Sequence, residues 1–258
     1  MRAAVLGSPI AHSRSPQLHL AAYRELGLTD WTYDRIECTG EQLPGLVGGF
    51  GPEWVGVSVT MPGKFAALRF ATERTQRAEL VGSANTLVRV EGGWRADNTD
   101  VDGVVGALGE VSGAAAVLGS GGTAPAAVVA LASLGITDIA VVARNASKAG
   151  ALVELGERLG VATRWVALGE KLNSLGVVVN TLPATVAGEF SGTVADTAVL
   201  LDAIYDPWPT PLAAAVAAAG GRVVSGLQML LNQAYAQVEQ FTGMPAPRAA
   251  MAAVLAAS

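Results

Sequence analysis

The sequence predicts an α/β protein with two domains, and three features of the chain support this fold class. Short runs rich in valine and alanine alternate with segments of helical spacing, which is typical of parallel sheets covered by helices. Apolar residues make up 51% of the 258 residues but aromatic residues only 5%, so small aliphatic side chains must build the core. The pattern of strand-like and helix-like segments changes near residue 102, and we take this position as the domain boundary.

The first predicted domain, residues 1–101, is an open α/β unit. Its elements are read from short β-branched runs, from helical periodicity and from a Gly92-Gly93 turn that indicates a hairpin. They are strands at 3–6, 31–38, 54–59, 85–90 and 94–96, and helices at 16–26, 41–49 and 65–77. Ser15 is the expected N-cap of the first helix, with Pro16 at its first position.

The second predicted domain, residues 102–226, alternates strands with helices and therefore indicates a doubly wound parallel sheet. Its elements are a helix at 104–108, a strand at 114–118, a helix ending at 134, a strand at 139–143, a helix at 147–159 and strands at 163–166, 176–180 and 199–203. Two further helices, at 227–241 and after Pro247, can pack back on the first domain.

Composition excludes several classes of protein. The net charge is −5 and the basic residues are scattered, so no nucleic-acid surface is expected. A single cysteine, Cys38, excludes an intrachain disulfide, and only two histidines accompany it, which argues against a zinc cluster, so no metal is expected. No signal peptide is evident, and glycines and Pro125 interrupt the uncharged run 111–137. We therefore expect a cytoplasmic protein that needs no membrane partner.

A glycine-rich turn stands where the second domain begins its first strand–helix unit. Gly119-Ser120-Gly121-Gly122-Thr123-Ala124 matches G-x-G-x-x-A between a strand and a helix. Such a turn lets the backbone approach a pyrophosphate, and the helix N-terminus supplies N–H groups and positive charge. A glycine turn that serves packing alone is the alternative. The flanking elements favour a Rossmann-like dinucleotide site.

The end of the next strand indicates which dinucleotide is bound. An NAD site places an acidic residue there, to hold the ribose 2′-hydroxyl. Here the strand runs into Arg144, Asn145 and Lys148 instead, and a guanidinium can grip a 2′-phosphate. A polar N-cap segment is the alternative interpretation. We predict NADP as the cofactor.

Four further residues carry the candidate chemistry of the first domain and the linker. Lys64 follows the strand at 54–59, at the sheet edge where α/β proteins bind ligands, and Asp100 lies in the segment joining the domains. A lysine with a carboxylate beside it can exchange a proton with an alcohol oxygen. Ser13 and Ser15 offer hydroxyls to a carboxylate or polyol. The alternatives are a surface lysine and helix N-caps at Asp100 and Ser15.

Six segments, in order along the chain, resemble the motifs of the shikimate dehydrogenase family. The V-T-x-P-x-K motif matches Val59–Lys64, and N-T-D matches Asn98–Asp100. The other similar segments are residues 7–16, 82–86, 202–212 and 226–234. The resemblance runs from residue 7 to about residue 243, and it implies an N-terminal substrate domain and a C-terminal NADP-binding domain.

The resemblance also implies the reaction and the residue roles. The reaction is the reversible NADP-dependent reduction of 3-dehydroshikimate to shikimate, a step in aromatic amino acid (chorismate) biosynthesis, with Lys64 and Asp100 as the acid–base pair. The implied substrate-binding residues are Ser13, Ser15, Thr60, Asn85, Asp100, Tyr205 and Gln233. The implied cofactor-binding residues are Gly119, Ser120, Gly121, Gly122, Thr123, Ala124, Arg144, Asn145, Lys148, Ile204 and Gly226. A monomer or a homodimer is expected.

Departures from the family pattern leave rival functions to consider. Ser58 stands where the family often has asparagine, and residues 143–145 and 182–185 also differ from the usual segments. An NAD-dependent quinate or dual quinate/shikimate dehydrogenase is the nearest rival, and Arg144 and Lys148 argue against it. A methylene-tetrahydrofolate dehydrogenase would not need the Ser13/Ser15 loop. A non-catalytic NADP-binding sensor would not need Lys64 or Asp100.

Overall fold

The computed structural model describes residues 1–256, and the chain divides into two compact units. The first unit is formed by Met1–Thr99 together with the segment from Leu230 onward, and the second by Asp100–Met229. Each unit contains a six-stranded sheet and its covering helices. The predicted α/β fold class is confirmed.

The sheet of the first unit is mixed. Its strands are β1 (Arg2–Gly7), β2 (Thr32–Glu37), β3 (Trp54–Val59), β4 (Glu73–Arg74), β5 (Thr86–Val90) and β6 (Gly93–Asp97), in the spatial order β2-β1-β3-β5-β6-β4. β1 lies parallel to β2 on one side and to β3 on the other, while β5 runs antiparallel to β3. The carboxyl ends of β1 and β3 therefore form a topological switch point, the usual place for a ligand in an open α/β sheet.

Four helices accompany this sheet: α1 (Ser15–Glu25), α2 (Leu43–Gly48), α3 (Lys64–Phe70) and α4 (Gln76–Val81). One apolar core combines side chains of β1, β3 and β5 with α2 and α3, through residues such as Leu6, Leu43, Val57, Ala67 and Leu87. The tight fit of α3 on the sheet follows from its buried alanines. Lys64 is thereby held at the first position of a helix that begins five residues after β3 ends.

Two sequence predictions in this unit are wrong. The helix predicted at 65–77 ends at Phe70, because Thr72 bonds to the carbonyl of Trp94 and Glu73–Arg74 pairs with β6. A separate helix, α4, then starts behind Thr75, whose hydroxyl accepts from the Ala78 N–H at 3.1 Å. Ser15 is not an N-cap, since it is the first residue of α1 and Arg14 occupies the cap position without a side-chain hydrogen bond.

The second unit has an all-parallel sheet, and its doubly wound topology is as predicted. Its elements are α5 (Asp100–Leu108), β7 (Ala114–Leu118), α6 (Ala124–Ser133), β8 (Asp138–Ala143), α7 (Ala146–Arg158), β9 (Ala162–Ala167), β10 (Leu175–Asn180), α8 (Ala184–Glu189), β11 (Val199–Asp202), α9 (Pro211–Ala218) and β12 (Arg222–Ser225). The spatial order is β12-β11-β10-β7-β8-β9, so the chain reverses direction of travel at β7. α8, α9 and β12 were not predicted from the sequence, because their short alanine-rich or four-residue segments show no clear period.

Two C-terminal helices complete the structure. α10 (Gly226–Thr242) begins in the second unit and continues into the first, where α11 (Arg248–Ala256) follows it. Leu231, Val238, Phe241 and Met251 pack with α1 on the face of the first sheet opposite α2 and α3. Within residues 1–256, no helix is long and apolar enough to cross a membrane.

His19 on α1 is fully buried in this second core, stacked on the Tyr33 ring at a centroid distance of 4.0 Å and near Phe241. Burial lowers its pKa from 6.5 to about 3, and a polar interaction with Gln237 only partly opposes this. The imidazole is therefore neutral in the folded protein at any pH above about 3.

This buried imidazole predicts an acid-dependent loss of stability. Below pH 6.5 the unfolded chain binds a proton at His19 that the folded protein does not, so stability falls as pH falls, by up to about 1.4 kcal/mol per pH unit. We expect His19→Phe to reduce this slope between pH 6.5 and pH 5, measured by urea unfolding. His12→Phe, at an exposed position, is the control. An unchanged slope in His19→Phe would show that other groups cause the acid sensitivity.

Candidate active site

Backbone hydrogen bonds join the loops that follow β1 and β3 at the switch point of the first unit. The Thr60 N–H donates to the Leu6 carbonyl at 2.8 Å, and the Ser8 N–H donates to the Met61 carbonyl at 3.0 Å. Gly7 permits this close approach, since a Cβ there would lie 2.4 Å from Thr60 Cγ2. The loop carrying Ser13 and Ser15 and the segment carrying Thr60 and Lys64 therefore start side by side.

Hydrogen bonds join the loop that carries Ser13 and Ser15 (the serine loop) to strand β2. Nε and Nη2 of Arg35, on β2, donate to the Ser13 carbonyl at 2.8 and 2.6 Å. The Ser15 N–H donates to Ser13 Oγ at 3.3 Å. Ser15 is 3% exposed, does not cap α1, and has a side-chain hydrogen bond with Tyr33.

Lys64 is half-buried at the start of α3, and its backbone is tied to the segment that leads into β5. The Lys64 carbonyl accepts from the Ala84 N–H at 3.0 Å, and the carbonyl of the next residue, Asn85, accepts from the Val59 N–H at 2.7 Å. Lys64 and Asn85, predicted on separate motifs, are thus positioned by the same short stretch of chain.

Asn85 belongs to a buried polar cluster with Thr99 and Gln233. Its Nδ2 donates to Gln233 Oε1 at 2.9 Å and to Thr99 Oγ1 at 3.0 Å, while its Oδ1 accepts from the Thr99 N–H at 2.7 Å. Gln233 comes from α10, which lies 148 residues further along the chain. The cluster brings together two predicted substrate-binding residues and adds Thr99, to which the sequence analysis assigned no role.

A carboxylate, Asp97, anchors the segment that carries Asn98, Thr99 and Asp100. Asp97 accepts from Arg77 (3.1 and 2.5 Å), from the Thr75 hydroxyl (2.7 Å), from Gln240 (2.7 Å) and from the Asn98 N–H (2.8 Å). Burial alone would raise its pKa, but the hydrogen bonds and the Arg77 charge outweigh burial and lower the pKa of this carboxyl. The segment is therefore held by an ionised anchor at neutral pH.

Asp100 is the first residue of α5 and is 5% exposed. The interpretation of Asp100 as an N-cap before the helix is therefore wrong, because the residue lies within the first turn.

In the second unit, the glycine-rich turn has the conformation that a phosphate-binding turn requires. Gly119 directly follows β7 and has φ +107°, in the left-handed region that favours glycine. A Cβ there would also lie 2.5 Å from Thr181 Oγ1. Ala124 begins α6 and is fully buried, so the small sixth residue of the motif permits close packing. The turn lies at the point where the order of the parallel strands reverses.

The cationic segment after β8 is open to solvent. Arg144, Asn145 and Lys148 are all exposed. Within residues 1–256, the Arg144 and Lys148 side chains make no hydrogen bond or ion pair, so both charges remain available to an anion. Asn145 also caps α7, because its Oδ1 accepts from the Lys148 N–H at 3.1 Å. The residues present therefore fit a dinucleotide that carries a 2′-phosphate.

Ile204 and Gly226, predicted on separate motifs to flank the nicotinamide, lie together beyond β11 and β12. The Gly226 N–H donates to the Ile204 carbonyl at 3.3 Å. The buried Asp202 carboxylate holds this region by accepting from the Ile204 N–H at 3.1 Å, Asn180 Nδ2 at 2.9 Å and the Thr210 hydroxyl at 2.6 Å. Tyr205 follows Ile204 and is half-buried. The sequence analysis gave Asp202 and Asn180 no such role, although both are polar residues that end apolar strands.

Gly226 is required for packing as well as for its predicted contact with the cofactor. A Cβ on Gly226 would lie 2.3 Å from the Ala203 carbonyl oxygen, which belongs to the backbone. We expect Gly226→Ala to lower the thermal unfolding midpoint, at a cost of about 2 kcal/mol. Gly150→Ala is the control, because Gly150 lies in α7 with nothing within 4 Å of an added Cβ. Equal melting curves for the two variants would contradict the clash.

Comparisons with known proteins agree over nearly the whole chain. A family model described as the shikimate dehydrogenase substrate binding domain matches residues 5–87, and the shikimate 5′-dehydrogenase C-terminal domain matches residues 226–256. A curated relative from Chelativorans sp. (strain BNC1), named shikimate dehydrogenase (NADP(+)), is 36% identical, covering 94% of this chain and 91% of its own.

Two solved structures extend the comparison to the fold. The shikimate dehydrogenase of Mycobacterium tuberculosis is 74% identical with a TM-score of 0.95, covering 99% of this chain and 98% of that chain. The shikimate 5-dehydrogenase of Thermus thermophilus, in complex with NADP(H) and shikimate, is 30% identical with a TM-score of 0.83, covering 100% of this chain and 99% of that chain.

Proposed function

The chain belongs to the shikimate dehydrogenase family, and we propose that it performs the family reaction with Lys64 and Asp100 as the acid–base pair. The reaction is the reversible NADP-dependent conversion of 3-dehydroshikimate to shikimate, a CH–OH oxidation or its reverse, in the shikimate pathway. The observation that carries the residue assignment is the position of Lys64. It begins a helix at the switch point of the substrate unit, tied through its own carbonyl to the segment that leads into the Asn85 cluster.

Lys64 exchanges the proton of the reacting oxygen. In the direction of reduction, its ammonium donates a proton to the C3 oxygen of the substrate, and in oxidation the neutral amine removes that proton. Asp100 is the second member of the proposed pair. Nicotinamide, when bound, supplies or accepts the hydride at C3.

Hydroxyl and amide groups of the chain hold the substrate. Ser13 and Ser15 bind the carboxylate, with the serine loop held rigid by Arg35. The ring hydroxyls are bound by Thr60, Asn85, Asp100 and Gln233, and Tyr205 lines the same site. Asn85 and Gln233 are preorganised by their mutual hydrogen bond, so little ordering is needed when substrate binds.

The second unit holds NADP. The backbone of residues 119–124 binds the pyrophosphate at the start of α6, while Arg144, Asn145 and Lys148 bind the 2′-phosphate end. Ile204 and Gly226 flank the nicotinamide. The support for this assignment is the left-handed Gly119 turn together with two exposed cations whose side chains make no hydrogen bond or ion pair within residues 1–256.

The first experiment is a turnover assay with purified protein. Formation of the reduced cofactor is followed by its absorbance with shikimate and NADP⁺, and in parallel with quinate in place of shikimate and with NAD⁺ in place of NADP⁺. Turnover confined to shikimate with NADP⁺ supports the proposal. Equal turnover with quinate or NAD⁺ would favour the dual-specificity rival, and binding of NADPH without any turnover would favour a sensor.

Two further parts of the proposal concern the cellular location and the oligomeric state of the enzyme. We propose a cytoplasmic enzyme, consistent with a single cysteine that is buried and free. A monomer or a homodimer is expected, and sedimentation at several concentrations tests this.

A further inference from the structure

Three glutamines form a stripe on one face of α10: Gln233, Gln237 and Gln240. Their spacing of four and three residues places them on the same side of a helix. Gln237 is fully buried and Gln233 is 7% exposed. Glutamine is rarely buried completely, and when it is, its amide must be hydrogen-bonded. Gln233 bonds to Asn85, and Gln240 bonds to Asp97. Gln237 connects further residues to the Asn85 cluster.

Gln237 uses both ends of its amide. Its Oε1 accepts from Ser58 Oγ at 2.7 Å, and Ser58 Oγ in turn accepts from the Tyr33 hydroxyl at 2.6 Å. Its Nε2 donates to Thr86 Oγ1 at 2.9 Å and to the Asn85 carbonyl at 3.2 Å. In the reverse orientation of the amide, Gln237 Oε1 would face the backbone carbonyl oxygen of Asn85, and neither atom could donate a hydrogen bond. The orientation of Gln237 is therefore determined by its surroundings.

This orientation agrees with the direction of the hydrogen bonds that continue to Asn85, whose Oδ1 also accepts from the backbone N–H of Thr99 at 2.7 Å. Thr86 Oγ1 accepts from Gln237 and donates to Asn85 Oδ1 at 2.8 Å. With Thr86 and the Thr99 N–H both donating to Asn85 Oδ1, the Nδ2 group of Asn85 donates to Gln233 Oε1. With Oε1 used in this way, Gln233 offers its Nε2 group to a ligand. A substrate oxygen therefore meets a donor, not an acceptor, at Gln233.

We propose that Gln237 is a positioning residue, which together with the Thr99 N–H holds the donor and acceptor pattern that Asn85 and Gln233 present to the substrate hydroxyls. Gln237 itself touches no substrate and acts through Thr86 and the Asn85 carbonyl. The inference rests on the proposed roles of Asn85 and Gln233 in binding substrate. From the opposite side, Ser58 donates to Gln237 Oε1, and Tyr33 in turn donates to Ser58.

Gln237→Glu is the decisive variant, because its effect depends on pH. An ionised glutamate has no hydrogen to donate to Thr86 or to the Asn85 carbonyl, whereas a protonated glutamate restores one donor. Burial raises the pKa of the introduced carboxyl group, and the protonated form is then reached as the pH falls. We expect the KM for shikimate to be about tenfold above wild type at high pH and to approach wild type as the pH is lowered. The KM for NADP⁺ stays unchanged throughout.

Gln237→Met and Gln76→Met complete the experiment. Gln237→Met keeps the length of the side chain but removes every hydrogen bond, so its shikimate KM should be raised by about tenfold at all pH values. Gln76→Met, at an exposed position of α4, should match wild type. A purely structural role would lower the melting temperature of the Gln237 variants without a pH-dependent shikimate KM.

Two outcomes would overturn the inference, and Asn85→Ala distinguishes them. If Asn85→Ala raises the shikimate KM while Gln237→Met matches wild type, or while the KM of Gln237→Glu does not depend on pH, Gln237 does not position the cluster. If Asn85→Ala also leaves the shikimate KM unchanged, the substrate site is elsewhere, and the role of Gln237 falls with it.

Discussion

Replacement of Lys64 by alanine should lower kcat for shikimate oxidation about 10²–10⁴-fold while the KM for shikimate stays close to wild type. The reason is that the proton on the C3 oxygen moves only in the transition state, so the lysine stabilises that state more than the bound substrate. Hydroxyl and amide groups of the Asn85 cluster and the serine loop remain in place to bind substrate. Initial rates of NADPH formation over a range of shikimate concentrations measure both constants.

The control for this prediction is Lys171→Ala, which removes an exposed lysine of the second unit. It should leave both constants unchanged. A large rise in KM with kcat intact in Lys64→Ala would mean that Lys64 binds the substrate and that another group moves the proton. Because α3 begins at Lys64, far-ultraviolet circular dichroism of Lys64→Ala should be measured to test whether the variant keeps its helical content.

The sequence predicted those parts of the fold that short-range patterns determine. The Gly119 turn is an example, because strand, glycines and helix are adjacent in the chain, and the structure shows β7, a left-handed Gly119 and α6 in that order. The end of α3 could not be predicted in this way. Residues 71–77 have no strong breaker, and the helix ends there because Glu73–Arg74 pairs with β6, which lies about twenty residues away in sequence.

The candidate site shows the same division. Lys64, Asp100 and Arg144 each lie in a recognisable local motif, and their roles stay predictions until the variants are measured. The network of Tyr33, Ser58 and Gln237 joins residues up to 179 positions apart, so no local pattern could reveal it. The sequence does indicate part of this network, because the glutamines at 233, 237 and 240 lie on one helix face. Three glutamines on one face of a largely buried helix indicate a buried hydrogen-bonding surface.

Arg144→Ala should weaken binding of NADP⁺ strongly and binding of NAD⁺ little. The two cofactors differ only in the 2′-phosphate, and a guanidinium–phosphate contact contributes charge-assisted hydrogen bonds of about 1.5–3 kcal/mol, or roughly 10- to 150-fold in affinity. Arg144 is exposed, and within residues 1–256 its side chain makes no hydrogen bond or ion pair, so its removal should not disturb the fold. Titration of each cofactor by intrinsic fluorescence or calorimetry gives the two dissociation constants.

The ratio of the two affinities, not either affinity alone, decides the assignment. Arg158→Ala, which removes another exposed arginine from α7, should leave the ratio unchanged. The effect of Arg144→Ala should also shrink as salt concentration rises, because the contact is between exposed charges. Equal losses for NADP⁺ and NAD⁺ would place Arg144 on a part common to both cofactors, such as the adenine ring. The 2′-phosphate would then have to be held by Lys148, and the preference for NADP would rest on that residue.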